Sequence, residues 1–590
     1  MNSVIVSILY LVSTIVETTF LMQLQKNKEK LEFTRWLLMT IILVMAIDTL
    51  AVGIIDVVKI PINLLTVSVV HIFAAGLLYF YNKKKDERQE YYLDKLSVVA
   101  VVLIAIGLII YLLRLKDISH APAFLNVDGA VHFMNAMSLV RSRHLPWMYF
   151  APLINTVVID FFSPWVKEIE YVKLFTLVDN IFLIFEIEIV WVVINKRLNT
   201  KLKKIAGVVL IIIYTAQYPL SSFLYSFLYW GMAVLLMTGF IVLAEDVDRE
   251  NHRIELLIAW ALMLFTLTMC YMLLAPFMVL AVFVFEIYYE IKVRKTFNIK
   301  KVIAVFAIFS IVVGLGLLAG VYKLTGGDIA SIFDFAKEQG SIYSDYYWQY
   351  VWLSPFIVYD AIISIQKKEL RFEWIAEIIL VVSVLVLTPM VFCEWISAYY
   401  FYKLYYPLFM FSVVIASSAI VKLIDEKNRL FPSMIVMMSI PFIMNFCFIE
   451  NKLASSPTNI QPRNNTSNFY YMWNQNEFIR VRTEPNFSED EMEGISYVMD
   501  NFPKDEVPML AEFGDIVRCY WYMGITGNDS SGYIERTDEL EDIIEKMNNK
   551  ETEYVCVLRN SAFYSDHESI LKDYPIVYEN TGLIVYSTEK

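Results

Sequence analysis

The chain has 590 residues, 57% of them hydrophobic, with a formal net charge of −12 and a mean hydropathy of +0.52. Its length would suit several soluble domains, but this composition excludes that interpretation for most of the chain. Apolar runs of about 20 residues, the length that crosses a bilayer as a helix, recur from the N-terminus to Ile449. We therefore predict a polytopic α-helical membrane protein.

The acidic side chains are concentrated near the C-terminus. Of the 61 acidic and 49 basic side chains, residues 451–590 contain 25 and 12, so the preceding part of the chain is about neutral. We predict a multi-pass transmembrane domain over 1–450 and a soluble domain over 451–590. An acidic soluble domain argues against nucleic acid as a partner.

In chain order, the first apolar run lacks a basic leader and is interpreted as a retained helix rather than a signal peptide. Basic loops at 26–35, 83–95, 196–204 and 292–301 are assigned to the cytoplasmic side, with weaker ones at 245–253, 367–371 and 422–429. About fourteen transmembrane helices then lie between the loops, and both termini fall outside the cytoplasm. The predicted spans are 3–24, 36–58, 61–82, 96–114, 171–194, 205–223, 226–245, 254–270, 271–290, 302–324, 349–366, 374–393, 404–423 and 431–449.

Three stretches are predicted to face outward: a loop near 115–170, a loop at 325–349 and the C-terminal domain. The first loop contains a short apolar piece, 148–162. We interpret this piece as an interfacial or re-entrant helix, and a further membrane span is the alternative.

The C-terminal domain is predicted to be a small extracytoplasmic α/β unit. Cys519 and Cys556 both lie in it and are a candidate disulfide, although spacing alone does not define one. The five cysteines of the chain are not spaced as a metal site. Strands are expected at 507–512, 517–523, 554–558, 576–578 and 583–586, helices at 490–501 and 537–548, and a hairpin turn at 579–582.

The most informative polar residues lie in the first outward loop. In a helix from Asp128 to Arg141, the side chains of Asp128, His132 and Asn135 share one face at i, i+4 and i+7. The opposite face is apolar, so the pattern predicts an amphipathic helix that lies at the membrane surface.

Cations follow this helix directly, at Arg141, Arg143 and His144. A carboxylate can act as general base on an acceptor hydroxyl while neighbouring cations hold the phosphate of a lipid-linked donor. The same spacing also fits a solvated helix with Asp128 as its N-cap and His132 in a structural role. The spacing alone leaves both interpretations open.

The order Asp128, His132, Pro146, Tyr149 and Pro152, followed by a span that ends in basic residues, resembles the GT-C superfamily of membrane glycosyltransferases. The resemblance covers roughly 112–290 by pattern and the rest of the chain by architecture. It implies a GT-C-like fold and the transfer of a sugar from a polyprenyl-phosphate carrier to an acceptor on the outer face of the membrane. Asp128 would then be the catalytic base.

The chain departs from that pattern in two ways. Three spans precede the one that leads into the Asp128 loop, where the family typically has one. A second family carboxylate has no unique match, which leaves a requirement for a divalent metal ion open. Its candidates in the 325–349 loop are Asp328, Asp334, Glu338 and Asp345.

The resemblance implies that Arg141, Arg143 and Lys403 are candidates to bind the carrier phosphate, and His132 and Tyr406 are further candidates for substrate contacts. Lys403 lies in a tyrosine-rich segment at the outer end of a late span. Tyrosines stack on sugars and a lysine binds phosphate as a point charge. The alternative is an interfacial aromatic belt with a snorkelling lysine.

Acidic residues also occur within the predicted spans, where charge is usually tied to function or to an ion pair. We expect Asp179 and Asp360 to line a cavity. The full set is Asp48, Asp56, Asp179, Glu186, Glu188 and Asp360.

The function expected from the sequence is that of an inverting hexosyl- or pentosyltransferase in a bacterial plasma membrane. Its partners would be a lipid-linked sugar donor, a glycan, lipid or protein acceptor from the cell envelope, and membrane lipid. Two alternatives remain: a transporter or flippase of a lipid-linked glycan, and a non-catalytic membrane scaffold with the GT-C-like fold.

Overall fold

The computed structural model describes residues 3–24, 30–83, 89–114, 127–145, 151–224, 226–248, 251–292, 295, 299–325, 348–397, 401, 403–426, 431–436, 487–535 and 540–589. Several predictions lie outside these residues: Pro146 and Tyr149, the four candidate carboxylates of the 325–349 loop, and most of the span predicted at 431–449. The proposed domain boundary near 450 also lies outside them and stays a prediction.

Helices dominate the part before residue 430. Thirteen of the fourteen predicted spans coincide with a helix. Seven helical stretches among the described residues are long and apolar enough to cross a membrane by length and composition, the pair α10 and α11 counting as one. The helices are α1 (Ser3–Met22), α2 (Phe33–Val57), α3 (Leu64–Asn82), α4 (Lys95–Arg114), α5 (Val127–Ser142), α6 (Ala151–Phe162), α7 (Tyr171–Asn195), α8 (Lys201–Leu224), α9 (Leu228–Asp246), α10 (Arg253–Tyr271), α11 (Ala275–Lys292), α12 (Ile299–Thr325), α13 (Trp348–Lys367), α14 (Phe372–Phe392) and α15 (Tyr405–Asp425).

The predicted cytoplasmic loops meet at one end of the bundle, which we call the basic end. A short parallel pair, β1 (Leu31–Glu32) and β2 (Tyr91–Tyr92), joins the first two loops. Buried Arg35 donates to Asp246, with an Nε to Oδ2 distance of 2.5 Å, and Asn195 donates to Asp94 at 2.9 Å. The clustering of these loops agrees with the topology that the basic residues predict.

The loops predicted to face outward meet at the opposite end, which we call the α5 end. The backbone N–H of Ile62 donates to the carbonyl of Arg143 at 2.8 Å, and the backbone N–H of Leu145 donates to Asp56 at 3.0 Å. Near the N-terminus of the chain, Ser7 donates to the carbonyl of Phe161 at 2.9 Å. The loop between α2 and α3, the described residues between α4 and α7, and the start of α1 therefore lie at the same end of the bundle.

Helix α6 belongs to this end and has 12 residues. At a rise of about 1.5 Å per residue it is about 18 Å long, well short of the hydrocarbon core of about 30 Å. Its length agrees with an interfacial or re-entrant helix.

The C-terminal domain contains a five-stranded sheet in the order β4-β3-β5-β7-β6. Strand β3 is parallel to β4 and to β5, whereas β7 is antiparallel to β5 and to β6. Asn580 fixes the predicted hairpin turn, because its side-chain oxygen accepts from the N–H groups of Gly582 and Leu583. The elements are α16 (Glu489–Asn501), β3 (Met509–Glu512), α17 (Ile516–Thr526), β4 (Ile534–Glu535), α18 (Leu540–Asn548), β5 (Tyr554–Leu558), α19 (Ala562–Leu571), β6 (Ile576–Glu579) and β7 (Leu583–Ser587).

One expectation about this domain was wrong, and the pairing left open for its two cysteines is not formed. Residues 517–523 form part of helix α17 instead of a strand, and the helix ends at Gly527, whose φ of +87° is the left-handed conformation common after a helix. An apolar run with aromatic residues does not distinguish a strand from a helix that is buried on most of its surface. Cys519 and Cys556 are buried free thiols, not a disulfide.

Helix α5 packs against the C-terminal domain rather than lying with its apolar face on the membrane surface. Phe133 and Met137 are buried in a core that α5 shares with α17 and the sheet. The ring of Phe133 lies 5.4 Å from that of Trp521 and 5.3 Å from that of Phe175 on α7. The predicted amphipathic face exists, but protein covers it. The C-terminal domain therefore lies at the α5 end.

Candidate functional site

Asp128 lies in the first turn of α5, at the α5 end of the bundle. Its side chain is exposed, yet desolvation by the surrounding protein raises the pKa of its carboxyl group, while the positive charge of Lys403 acts to lower it. Asp128 is thus accessible to solvent and also close to much surrounding protein, and we call its surroundings the recess. Net desolvation places the carboxyl pKa closer to neutrality, which suits a general base.

Lys403 is the cationic partner in this recess. The residue is 7% exposed, and its Nζ atom lies 5.7 Å from the ring centroids of both Phe227 and Tyr271. Both distances are within the range of a cation–π interaction, which stabilises an ammonium group that has lost part of its water. The structure therefore keeps a buried positive charge near Asp128.

His132 follows Asp128 by one helical turn and faces the same recess. Its ring centroid lies 6.0 Å from that of Phe227 and 5.5 Å from that of Tyr229. Burial, together with the charge of Lys403, lowers the pKa of His132 to about 4. The imidazole is therefore neutral near pH 7, and it can exchange hydrogen bonds with a substrate but cannot hold a phosphate by charge.

A cluster of buried aromatic rings packs beside Lys403 and His132. The Trp230 ring lies 4.4 Å from that of Tyr271 and 5.0 Å from that of Tyr406. Tyr229 and Tyr271 are stacked, with centroids 5.7 Å apart and an interplanar angle of 9°. Tyr406 is buried and supports Trp230.

Sequence reasoning missed the aromatic residues other than Tyr406. Their signal was the aromatic-rich start of the span predicted at 226–245, which includes Phe227, Tyr229 and Trp230. Tyr271 gave no local signal, because it stands at the junction of two predicted spans and meets the others only in the folded bundle.

Arg141 and Arg143 are not part of this recess. Arg141 lies 13 residues along α5 from Asp128, about 20 Å at a rise of 1.5 Å per residue. Its Nη2 atom donates to the carbonyl of Ile525 at 2.8 Å and to that of Gly524 at 3.1 Å, both in α17. Arg143 forms an ion pair with Asp160. The structure gives both arginines contacts that hold the α5 end together.

The acidic residues predicted to line a cavity have different environments. Asp179 lies next to the recess, because it accepts from Ser226 at 2.6 Å and borders a small cavity with Phe227 and Glu186. The expectation for Asp360 was wrong. Its side chain is fully buried, accepts from Trp374 at 2.8 Å and pairs with Lys422 at 2.8 Å and with Arg371 at the basic end.

Among the described residues, one group brings its carboxylate and imidazole ligand atoms within 4.8 Å of one another, and it consists of Glu512, Glu535 and His567 in the C-terminal domain. The carboxylates suggested for the 325–349 loop lie outside the described residues.

Comparison with known proteins bears on the fold of the chain. No family model and no curated protein sequence matches the chain. The crystal structure of ArnT from Cupriavidus metallidurans bound to undecaprenyl phosphate is similar, with a TM-score of 0.50 and 10% sequence identity over 83% of this chain and 98% of that one. The apo state of the same protein superposes with a TM-score of 0.47 and 10% identity, over 84% and 98% of the two chains. An identity this low shows the fold alone. The chain therefore has the GT-C-like polytopic membrane fold that its sequence predicts, with a small sheet domain at the C-terminus.

Proposed function

We propose that the protein is a membrane glycosyltransferase that moves a sugar from a polyprenyl-phosphate carrier to an acceptor of the cell envelope. One observation carries this proposal: the positive charge of Lys403, which lies over the rings of Phe227 and Tyr271, acts on the carboxyl group of Asp128 at the α5 end. The fold supports it, since the similar ArnT structure contains undecaprenyl phosphate. A carboxylate and an ammonium group in such a recess supply the two charges that this reaction needs.

Asp128 acts as the general base in this proposal. It takes the proton of the acceptor hydroxyl as the hydroxyl oxygen attacks the anomeric carbon. The bond from that carbon to the carrier phosphate breaks, and the phosphate leaves with its electron pair. A single displacement of this kind inverts the anomeric centre. A positioned base of this type typically contributes about 10²–10⁴-fold to the rate.

Lys403 binds the phosphate that leaves and stabilises its increasing negative charge. His132 is neutral and contributes a hydrogen bond to the sugar or to the acceptor. Tyr271 contacts Lys403, and the buried rings of Trp230 and Tyr406 pack behind Tyr271 and hold this part of the site in place. Arg141 and Arg143 hold α5 in place instead of binding the carrier.

The site is proposed to open on the extracytoplasmic side of a bacterial plasma membrane. The basic loops lie at the end of the bundle opposite α5, and basic loops remain in the cytoplasm. The C-terminal domain packs on α5 and is therefore placed outside as well. A membrane-impermeant thiol reagent tests this with single cysteines at exposed Asp500 in the C-terminal domain and exposed Lys201 at the basic end. In intact cells we expect labelling of the cysteine at position 500 alone. Labelling of the cysteine at position 201 alone would show that the topology is the reverse of the one proposed.

The activity is tested with purified protein in proteoliposomes and labelled polyprenyl-phosphate sugars. The expected result is release of free polyprenyl phosphate with transfer of the label to an acceptor. For Lys403→Met we expect the rate of sugar transfer to fall by about 10–100-fold. This factor corresponds to the loss of one charge-assisted hydrogen bond of about 1.5–3 kcal/mol. Lys572→Met, at an exposed lysine of the C-terminal domain, is the control.

The alternatives predict different outcomes in the same vesicles. A flippase would move the labelled lipid between leaflets without cleaving its phosphate bond, and a scaffold would do neither. The ion pairs of Asp360 with Arg371 and Lys422 give that intramembrane acid a structural role, which removes one of the candidate coupling sites for transport.

A further inference from the structure

Two glutamates are held side by side at one edge of the C-terminal sheet. Glu512 ends β3 and Glu535 ends β4, and the two are direct register partners in a parallel pair. Register partners on adjacent parallel strands lie about 4.8 Å apart and direct their side chains to the same face of the sheet. The backbone therefore fixes two carboxylates next to each other, and like charges in such a pair repel.

A histidine from a third element completes the group. His567 of α19 is bonded to Glu535, with 2.8 Å between Nε2 and Oε2, and their side chains are 15% and 20% exposed. The imidazole ring also packs on buried Phe563, at a centroid distance of 4.8 Å. These two contacts fix the orientation of the imidazole ring.

The position in the sheet is the one where open α/β sheets bind ligands. Strand β3 lies between β4 and β5, so the chain leaves β3 on one side and returns on the other. In such sheets, ligands bind at the carboxyl ends of the parallel strands where the strand order reverses. Glu512 and Glu535 stand at these ends, and His567 belongs to the helix that follows β5.

We propose that Glu512, Glu535 and His567 bind a divalent transition-metal ion. The three ligand atoms lie within 4.8 Å of one another. A Zn²⁺ ion with bonds of about 2.1 Å needs ligand atoms about 3.4 Å apart in tetrahedral geometry, which small side-chain rotations achieve. One imidazole nitrogen and two carboxylate oxygens are a donor set that Zn²⁺ accepts, and water fills the remaining position.

The ion would replace the proton shared by His567 and Glu535 and would cancel the repulsion between the glutamates. It would also link β3, β4 and α19, three segments of a domain whose two cysteines are not paired. The structural effect is that of a crosslink at the edge of the sheet. This site belongs to the C-terminal domain, so its existence does not depend on the sugar-transfer reaction.

The test uses the full-length protein in detergent after treatment with a chelator. Calorimetric titration with Zn²⁺ is compared for wild type, Glu535→Gln, His567→Asn and the control Glu541→Gln, which alters an exposed glutamate of α18. Wild type and control are expected to bind one equivalent, and each ligand variant is expected to lose at least tenfold in affinity. Co²⁺ should give a visible absorption band in wild type that is lost in His567→Asn.

Thermal unfolding followed by circular dichroism provides a second measurement. Zn²⁺ is expected to raise the unfolding temperature of wild type and Glu541→Gln but not of His567→Asn. Should one ligand variant fail to fold, Glu512→Gln replaces it, since its amide has almost the same shape as the carboxyl group. The proposal is overturned if wild type binds no Zn²⁺ or if all folded ligand variants bind it as wild type does.

Discussion

The contact between α5 and α17 gives a sharp prediction at Gly524. A Cβ atom at this position would lie 2.6 Å from Cδ1 and 3.0 Å from Cε1 of Phe133, and 3.3 Å from Cγ of Met134. The Phe133 ring cannot rotate away easily, because the rings of Trp521 and Phe175 pack against it. Gly524→Ala must therefore separate the two helices or distort the ring.

Overpacking typically costs about 1–3 kcal/mol, and the upper part of that range, about 2–3 kcal/mol, applies here because neighbouring rings hold the Phe133 ring in place. About 1 kcal/mol is regained because alanine favours a helix more than glycine does. We expect a net destabilisation of about 1–2 kcal/mol for the contact, which corresponds to a factor of about 5–30 in the population of the separated state. The backbone amides of α5 and α17 should then exchange hydrogen about 5–30 times faster, as measured by mass spectrometry.

Gly514→Ala is the matched control. No atom lies within 4 Å of a Cβ at Gly514, and its φ is not in the left-handed region. The control should change stability by no more than about 0.5 kcal/mol. Equal exchange rates in the two variants would refute the close packing of α5 on α17, and with it the role of the C-terminal domain in holding Asp128.

Three further substitutions test the account. Arg141→Met removes the donors to two α17 carbonyls and should cost about 1.5–3 kcal/mol; faster proteolytic release of the C-terminal domain is the readout, and an unchanged rate would contradict it. Lys403→Met removes the charge that lowers the pKa of Asp128, so the acid limb of the pH–rate profile should move to higher pH, and a shift to lower pH would show the opposite coupling. Asp360→Asn leaves the partly buried cations Arg371 and Lys422 without their carboxylate. Because solvent reaches both cations, we expect a loss of stability of about 1–3 kcal/mol in thermal unfolding, below the roughly 3–5 kcal/mol typical of a fully buried pair. An unchanged transition would show that the ion pairs contribute nothing.

The membrane part of the fold was largely predictable from the sequence. An apolar run of about 20 residues has one stable solution in a bilayer, a helix, because every backbone hydrogen bond must close within the segment. Of the helices from α1 to α15, all except α5 and α6 follow predicted spans for this reason. Lys and Arg in the loops further predicted which loops would meet, as the contact of Lys204 with Asp94 illustrates.

The packing between distant segments was not predictable in the same way. The apolar face of α5 was expected on the membrane surface, because an amphipathic pattern does not say whether lipid or protein covers the apolar side. The cover is α17, which was expected to be a strand. Arg141 was expected near the carrier phosphate, but nothing local indicates that carbonyl groups nearly 400 residues later in the chain accept its hydrogen bonds.

The candidate site was predicted in part. Asp128, His132 and Lys403 came from motif and composition, and the structure brings them together. Phe227 and Tyr271 were not predicted, because the sequence does not show that these two distant rings meet at Lys403 in the folded bundle.

The measurement that tests the central claim most directly is the single-turnover rate of sugar transfer by Asp128→Asn in proteoliposomes. Donor binding is measured in parallel, and Asp500→Asn, at an exposed aspartate of α16, is the control. If Asp128 is the base, the rate constant should fall by about 10²–10⁴-fold while the donor still binds, an increase of about 2.7–5.4 kcal/mol in the activation free energy. A rate constant for Asp128→Asn equal to that of the control would contradict the account.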